Sequence, residues 1–218
     1  MTMLCKDRDL LALESRIFKA EGLEQFIMVR GSGASISGSS LTCGGVDFIS
    51  AGVQEGFAVY VNEPESGFEG YFSVLSCDGS NQLTIAPPAA QGMQAEELFS
   101  IGSLNLLIAS FSAVIEAVSM ELCSLMSIRP AISDAEFGIE DIIDQRLAAN
   151  CAAAGTLCQL MLSAQCGNPD ADEALLSDKR EMYEELFERS KQALIVEMKN
   201  AEGKQRKYCF ACGDLERG

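Results

Sequence analysis

Residues 67–85 read GFEGYFSVLSCDGSNQLTI, and this stretch decides the predicted fold of the first half of the chain. Two short apolar runs flank Asp78-Gly79-Ser80-Asn81, whose residue types favour a tight turn. Upstream, residues 57–62 (FAVYVN) show the period of two that is typical of a strand. With a further strand expected near residues 39–43, the pattern predicts about four or five short strands. Such strands suit a small antiparallel barrel or sandwich.

Helical patterns lie on both sides of this β-module. Residues 6–20 place Leu10, Leu13 and Ile17 on one face and charges on the other, which predicts a short amphipathic helix. Residues 30–40 (RGSGASISGSS) have the composition of a flexible linker. Downstream, apolar residues at helical spacing predict three long helices, the first over residues 98–126, the second reaching Met161, and the third over about 171–200.

The predicted fold class is therefore α+β, with a short N-terminal helix, a small antiparallel β-barrel or sandwich, and a C-terminal bundle of about three long helices. We expect four segments: an N-terminal amphipathic helix and linker (1–30), the β-module (31–90), a helical bundle (91–203) and a C-terminal docking tail (204–218). The run 148–155 is rich in small residues, which allows another helix to approach closely.

An uncharged run from Leu98 to Ile115 is long enough to raise the possibility of a membrane span. Four serines interrupt this run, Glu116 and Glu121 follow it, and Arg129 is the first basic residue after it. These features favour a buried bundle helix, so no membrane association is expected.

The composition argues against an enzyme. The chain has no histidine, and therefore lacks the commonest general base and the commonest metal ligand. No phosphate-binding glycine loop and no serine-nucleophile motif occurs in the sequence. An enzyme or small-molecule binder that relies on carboxylates would use Glu140, Asp141 and Asp144 first, but surface acids are the preferred interpretation. We expect no catalytic residues and no cofactor.

The charge is strongly negative and unevenly distributed. The formal net charge is −16, and the segment from Gly31 to Ile128 contains no Lys or Arg and ten acidic residues. Nucleic-acid binders instead carry a basic surface that displaces counterions from phosphates. This chain should not grip DNA, although a repulsive wall past which DNA slides is compatible with it.

Nine cysteines occur without the spacing of a disulfide framework, so reduced thiols are expected. Cys209 and Cys212 form a Cys-x-x-Cys pair that resembles half of a zinc knuckle. The sequence offers no second half, so these two residues are weak candidate metal ligands and no metal site is predicted.

The order of motifs is informative: LLALESRIFKA (10–20), VRGSG (29–33), FISAGVQEGFAVYVN (48–62), GYFSVLSCDGSNQLTI (70–85) and REMYEELFERSKQAL (180–194). This series resembles structural proteins from the head–tail regions of tailed phages and prophages. The final helix is similar to that of head-to-tail adaptor (connector or neck) proteins, which form a ring beneath the portal.

The resemblance implies a virion structural protein that joins the portal to the tail and lines the DNA channel. It implies a homo-oligomeric ring of about a dozen copies, with the portal protein and the next neck or tail protein as partners. Double-stranded DNA would pass through without sequence-specific binding. The protein would assemble in the host cytoplasm and reside in the virion neck. The alternative is another virion component, either a capsid decoration or a tail or baseplate attachment protein.

Three groups of residues are candidates for binding these partners. They are the apolar face of the N-terminal helix, aromatic residues of the β-module, and the basic tail. The predicted contact residues are Leu10, Leu13, Ile17, Phe57, Phe68, Tyr71, Lys204, Arg206, Lys207 and Tyr208.

Overall fold

A computed structural model of the protein describes residues 3–19, 22–86, 100–128, 137–167, 173–209 and 213–215. It combines helices and strands, with an antiparallel barrel in the first half of the chain and long helices in the second. Contacts divide the chain into two compact units. A barrel unit spans Asp7–Phe111, and a helical unit contains Met1–Lys6 and Ser112–Gly218.

The barrel unit is built on six antiparallel strands that close on themselves in the order β1-β2-β5-β4-β3-β6. Closure pairs every strand on both sides and so leaves no open sheet edge in the barrel. The strands are β1 (Ile27–Ser37), β2 (Ser40–Thr42), β3 (Ala58–Glu63), β4 (Phe68–Gly79), β5 (Gln82–Ala86) and β6 (Ile101–Ala109).

Alternating side chains fill the barrel. Val59 and Val61 of β3 and Leu104 of β6 point inward and are fully buried. Phe72 and Val74 of β4 join the same core. The period of two along the strands thus produces a continuous apolar interior, whose burial is the main force that stabilises the barrel.

The N-terminal segment lies on the outside of the barrel. Helix α1 (Asp7–Leu13) packs against β3 and β4, and short 3₁₀ turns follow at Ile17–Lys19 and Glu24–Phe26. On the outer face, the paired residues Ala58, Ser73 and Ala109 form one row across three strands, and all three are buried.

The helical unit has three long helices, α2 (Ser112–Leu125), α3 (Arg146–Gly167) and α4 (Glu173–Gln192). Helix α3 packs against both α2 and α4, and its residues 151–157 are buried without interruption. A Cβ atom at Gly155 would lie 2.7 Å from the Phe187 ring of α4 and 2.9 Å from Val118 of α2. This glycine therefore sets the close approach of the three helices, as the small residues of this run predicted.

A three-stranded antiparallel sheet completes the helical unit, in the order β7 (Ile195–Lys199), β8 (Gln205–Cys209) and β9 (Gly213–Leu215). The turn between β7 and β8 is held by the Asn200 side chain, whose oxygen accepts hydrogen bonds from the backbone N–H groups of Glu202 and Lys204. Gly203 has a φ of +83°, a conformation that glycine adopts without strain.

Two predictions about the barrel are wrong. The expected flexible linker at residues 30–40 is most of β1 and the start of β2. The first half of the expected helix over 98–126 is β6, and only Ser112–Leu125 is helical. The barrel therefore extends past both predicted boundaries, from Ile27 to Ala109 instead of from 31 to 90.

The predicted helix bounds also need correction. The N-terminal helix ends at Leu13, well before residue 20. The third long helix ends at Gln192, and the chain then continues as β7. Part of the predicted docking tail from residue 204 onward forms the strands β8 and β9. Residues 195–199 alternate as a strand and pair with residues 205–209 instead of continuing the helix.

Helix α3 could cross a membrane by length and composition alone, since an 18-residue window within residues 146–166 has a mean hydropathy of 1.3. Within this window 61% of the residues are buried inside the chain. Core helices pass the same hydropathy test, and the apolar character of α3 serves its packing between α2 and α4.

Candidate interaction surfaces

An aromatic cluster lies on the outer face of the barrel, beneath the N-terminal segment. Phe18 stacks on Tyr60 with ring centroids 5.8 Å apart, and Tyr60 lies 5.1 Å from Tyr71. Phe111 contacts Phe18 at 6.4 Å and Phe26 at 5.5 Å. These are favourable separations for aromatic pairs. The cluster therefore attaches the segment after α1 to strands β3 and β4.

The two tyrosines of this cluster differ at their hydroxyls. Tyr60 forms a hydrogen bond with Glu69, whereas the buried hydroxyl of Tyr71 has no hydrogen-bond partner among the described residues. Burial raises the pKa of Tyr71 to about 12, and the negative charge of Glu69 adds to the rise. Tyr71 is therefore a neutral, half-buried side chain across the whole physiological range.

A cavity of about 110 Å³ opens next to the aromatic cluster, on the outer flank of β1 and β6. Its walls are mainly apolar and its rim carries Arg30 and Glu24, of which both are exposed. Arg30 pairs with Leu107 across the two strands, so both side chains point to the same outer face. The remaining lining residues are Ile17, Phe18, Leu23, Ile27, Ala109 and Phe111.

The loop between β2 and β3 crosses one end of the barrel. Phe48 is fully buried in the barrel core, and its backbone N–H donates to the Ser80 carbonyl at 2.6 Å. The next residue, Ile49, is 62% exposed. The Asp47 carboxylate accepts hydrogen bonds from the Ser50 N–H at 2.9 Å and hydroxyl at 2.8 Å. Ile49 is thus an apolar side chain held out to solvent between two anchored neighbours.

The predicted contact residues of the N-terminal helix are divided by the structure. Leu10 and Ile17 are fully buried within the chain, so in this conformation they pack instead of presenting a docking face, contrary to expectation. Leu13 is exposed. Phe57 and Phe68, expected as contacts of the β-module, are partly buried and pack against the barrel core.

The basic residues near the C-terminus lie together on or beside β8. Lys207 forms an ion pair with Glu197 across the hairpin at 2.9 Å, and Lys204 lies 3.6 Å from Glu202. Tyr208 is buried, while Arg206 is half-buried. Acidic neighbours therefore offset much of the positive charge expected to meet a partner, and Tyr208 packs in its own sheet.

The structure assigns local roles to the acids that were the first suspects for carboxylate chemistry. The Asp141 carboxylate accepts a hydrogen bond from the Gly138 N–H at 2.7 Å. Asp144 binds the Arg146 guanidinium at 2.7 Å, which lowers the pKa of that carboxyl to about 2. These contacts stabilise the turn that leads into α3.

The structure describes only one cysteine of the Cys-x-x-Cys pair. Cys209 lies in β8, and Cys212 lies outside the described residues. Within the described part of the chain, no three cysteine, aspartate or glutamate side chains come together as a metal site would require. Burial raises the pKa of the Cys151 thiol to about 12 and that of Cys123 to about 11, so these thiols behave as small apolar core groups.

Ile49 and Arg30 were not among the contact residues predicted from the sequence, whereas Phe48 was one of the β-module aromatics considered as possible contacts. The available signal was the position of Phe48 and Ile49 in the same turn-rich stretch that gave the resemblance, FISAGV. Which of the two adjacent apolar residues is buried depends on the path of the loop over the barrel. Periodicity carries no information about that path.

Comparison with known proteins finds no match to any protein-family model, to any curated protein or to any solved structure.

Proposed function

We propose that this protein is a structural component of a tailed-phage virion, a ring-forming head-to-tail adaptor that joins the portal to the tail and lines the DNA channel. The observation that carries the proposal is the negative charge of the outer wall of the barrel. Strands β2 to β6 all fall in the segment without Lys or Arg, and exposed carboxylates are spread over it. These exposed acids are Asp47, Glu55, Glu65, Glu69 and Asp78.

This part of the wall repels the phosphate backbone of DNA, because strands β2 to β6 offer no cations to replace the counterions that binding would release, and exposed Arg30 lies outside it on β1. A surface of this kind lets packaged DNA move past without adhesion. The side-chain packing of the barrel interior further supports a role in spacing and contact, since the barrel encloses apolar residues instead of a ligand chamber.

The helical unit supports the same proposal. An adaptor-like bundle needs several long helices, and the unit contains α2, α3 and α4, with residues 180–194 lying on α4 and the segment after it. Exposed large apolar side chains on these helices provide area for contacts with other chains. They include Met120, Leu125, Leu147, Leu162, Leu175 and Met182.

Negative-stain imaging and mass measurement of the purified protein, with and without a portal ring from the same phage, test the proposal. An adaptor should form closed rings on the portal and none on a control protein ring of similar size. Discrete binding to the capsid lattice or to tail parts would favour the alternative virion components instead.

A DNA-retention assay provides a second test of the channel role. The protein should not retain duplex DNA at about 0.15 M salt, where nonspecific binding through cations would still be measurable. Tight retention of duplex DNA, or turnover of a small molecule by the isolated chain, would contradict the proposed function.

A further inference from the structure

We propose that barrels of neighbouring copies join head to tail, with Ile49 of one copy inserted into the cavity beside Arg30 of the next. The inference rests on the ring assembly proposed above and names the contact between copies. Its elements are an apolar knob at one end of the barrel and an apolar hole on the barrel's flank, both within the same unit.

The knob is rigid before binding. Phe48 fills the barrel core on one side of Ile49, and Ser50 is tied to the Asp47 carboxylate on the other. The Ala51 N–H also donates to the Asp47 carbonyl at 3.0 Å. Because the backbone on both sides of Ile49 is already held in place, binding requires little further ordering of the loop, which favours association.

The hole matches one branched apolar side chain. Its volume of about 110 Å³ is somewhat smaller than the ~150 Å³ cavity that accepts benzene in another protein. Phe18, Leu107 and Phe111 supply apolar walls. Burying an exposed isoleucine there removes apolar surface from water on both partners.

Charge selects the orientation. Asp47 lies two residues before Ile49 and is exposed, and the rim of the cavity carries exposed Arg30 and exposed Glu24, so Asp47 must approach the side of the rim that carries Arg30. No other Lys or Arg occurs between Arg30 and Ile128, so Arg30 is the last cation before a long anionic segment. Insertion of Ile49 brings Asp47 of one copy close to Arg30 of the next copy.

The positions of knob and hole favour a head-to-tail contact. The knob is on the loop that leaves β2 and enters β3 at one end of the barrel, whereas the hole is on the outer flank of β1 and β6. Because the two surfaces differ, each copy can give its knob to one neighbour and its hole to another. Repetition of this contact generates a ring or a helix.

Photo-crosslinking tests the contact directly. A copy with an aliphatic diazirine amino acid at position 49 is mixed with ¹⁵N-labelled wild-type protein and irradiated, and the crosslinked peptides are identified by mass spectrometry. The expected products join position 49 to labelled peptides that contain Phe18, Arg30 or Leu107. The same probe at Leu75, an exposed apolar residue of β4, is the control. Absence of these products, or equal products from position 75, would overturn the proposal.

Charge variants test the pairing. Asp47→Asn removes the charge, keeps an oxygen for the Ser50 N–H and offers an amide N–H that can donate to the Ser50 hydroxyl, so crosslinking from position 49 should lose its dependence on salt. Ile49→Asp and Arg30→Glu should each weaken self-association about tenfold or more, while Leu75→Asp should not. Unchanged association in both variants would contradict the assigned contact.

Mixing experiments separate a head-to-tail contact from a reciprocal pair. Ile49→Asp copies retain the hole and Arg30→Glu copies retain the knob, so a 1:1 mixture should form one complete contact and stop at a dimer. Sedimentation velocity measures this, and a wild-type protein that itself stops at a dimer would exclude the head-to-tail arrangement.

The outcomes distinguish this contact from the proposed function. Crosslinks from position 49 without ring formation on a portal would leave the contact standing and remove the adaptor role. Portal-bound rings without the expected crosslinks would retain the adaptor role and show that copies meet through other surfaces.

Discussion

The carboxylate of Asp7 accepts a hydrogen bond from the backbone N–H of Phe111 at 3.0 Å, which joins the first residue of α1 to the residue that closes the barrel unit. Asp7 is 4% exposed. Burial raises the pKa of Asp7 to about 7, and the hydrogen bond from Phe111 opposes part of that rise. The two ends of the barrel unit are thus held together by an acid whose ionisation is costly.

We expect this acid to make stability fall as pH rises from about 4 to 7. In that window the folded state retains a proton that the unfolded chain has lost, so the free energy of unfolding decreases, by about 4 kcal/mol at most. Below about pH 4 both states are protonated, and above about pH 7 both are ionised. Urea unfolding at pH 4.5, 6 and 8 measures this decrease.

Asp7→Asn should flatten the pH dependence, because the amide keeps an oxygen for the Phe111 N–H and cannot ionise. Asp9→Asn is the matched control and should keep most of the slope, since burial is the main cause of the raised Asp7 pKa and the charge of Asp9 adds a smaller part. A variant at Asp7 that is destabilised equally at all three pH values would show that the acid acts through packing alone.

Tyr71→Phe should stabilise the barrel unit or leave it unchanged, because it removes a buried hydroxyl for which the described part of the chain provides no hydrogen-bond partner. A gain of up to about 1–2 kcal/mol is expected. Tyr60→Phe is the control with the opposite sign, since it removes a hydroxyl that bonds to Glu69. Denaturation of both variants at pH 7 gives the comparison, and a large loss of stability from Tyr71→Phe would show that its hydroxyl has a partner in solution.

Adjacent residues of the barrel-end loop should respond very differently to truncation. Phe48→Ala empties a fully buried site in the barrel core and should cost about 3–5 kcal/mol. Ile49→Ala removes an exposed side chain and should change the stability of the isolated chain by no more than about 0.5 kcal/mol. Equal losses from both changes, measured by urea unfolding monitored by circular dichroism, would mean that the loop does not hold Phe48 in the core.

Gly155→Val should destabilise the helical unit by about 1–3 kcal/mol, since any side chain at this position overlaps the Phe187 ring and Val118. Asn150→Ala, at an exposed position of α3, is the control and should be neutral or slightly stabilising through helix propensity. Thermal unfolding by calorimetry compares the two. Adding Phe187→Leu to the Gly155→Val variant should restore part of the loss, and failure to do so would place the strain elsewhere.

The sequence predicted correctly those strands whose pairing partner is the next strand along the chain, because the turn between the two strands can be recognised from its residues. Strands β3, β4 and β5 are joined by short turns with characteristic residues, and their alternation is clear. Strand β1 was missed because the Gly-Ser-Gly run at 31–33 interrupts its alternation, although Val29, Ala34 and Ile36 point into the core. Strand β6 was read as helix because outward Leu107 is apolar and obscures the alternation of Leu104, Leu106 and Ile108.

The predicted contact residues likewise show what the sequence could not determine, namely which apolar side chains are buried within the chain. Burial of Leu10 and Ile17, and the packing of Phe57 and Phe68 against the core, could not be read from hydropathy, since a docking residue and a core residue have the same side chain. The exposure of Ile49 beside buried Phe48 depends on how one loop crosses the barrel end.

By itself the sequence determined the local features: the turns, the paired alternation of β3 to β5, the helical spacing of α2 to α4, the absence of histidine and the anionic segment from Gly31 to Ile128. The tertiary structure alone decided that β1 and β6 close the barrel, which aromatic residues form the outer cluster, and that a cavity opens beside Arg30. The physical reason is that turn and periodicity signals act over a few residues. Strands β1 and β6 are separated by 63 intervening residues, and no local signal specifies their pairing.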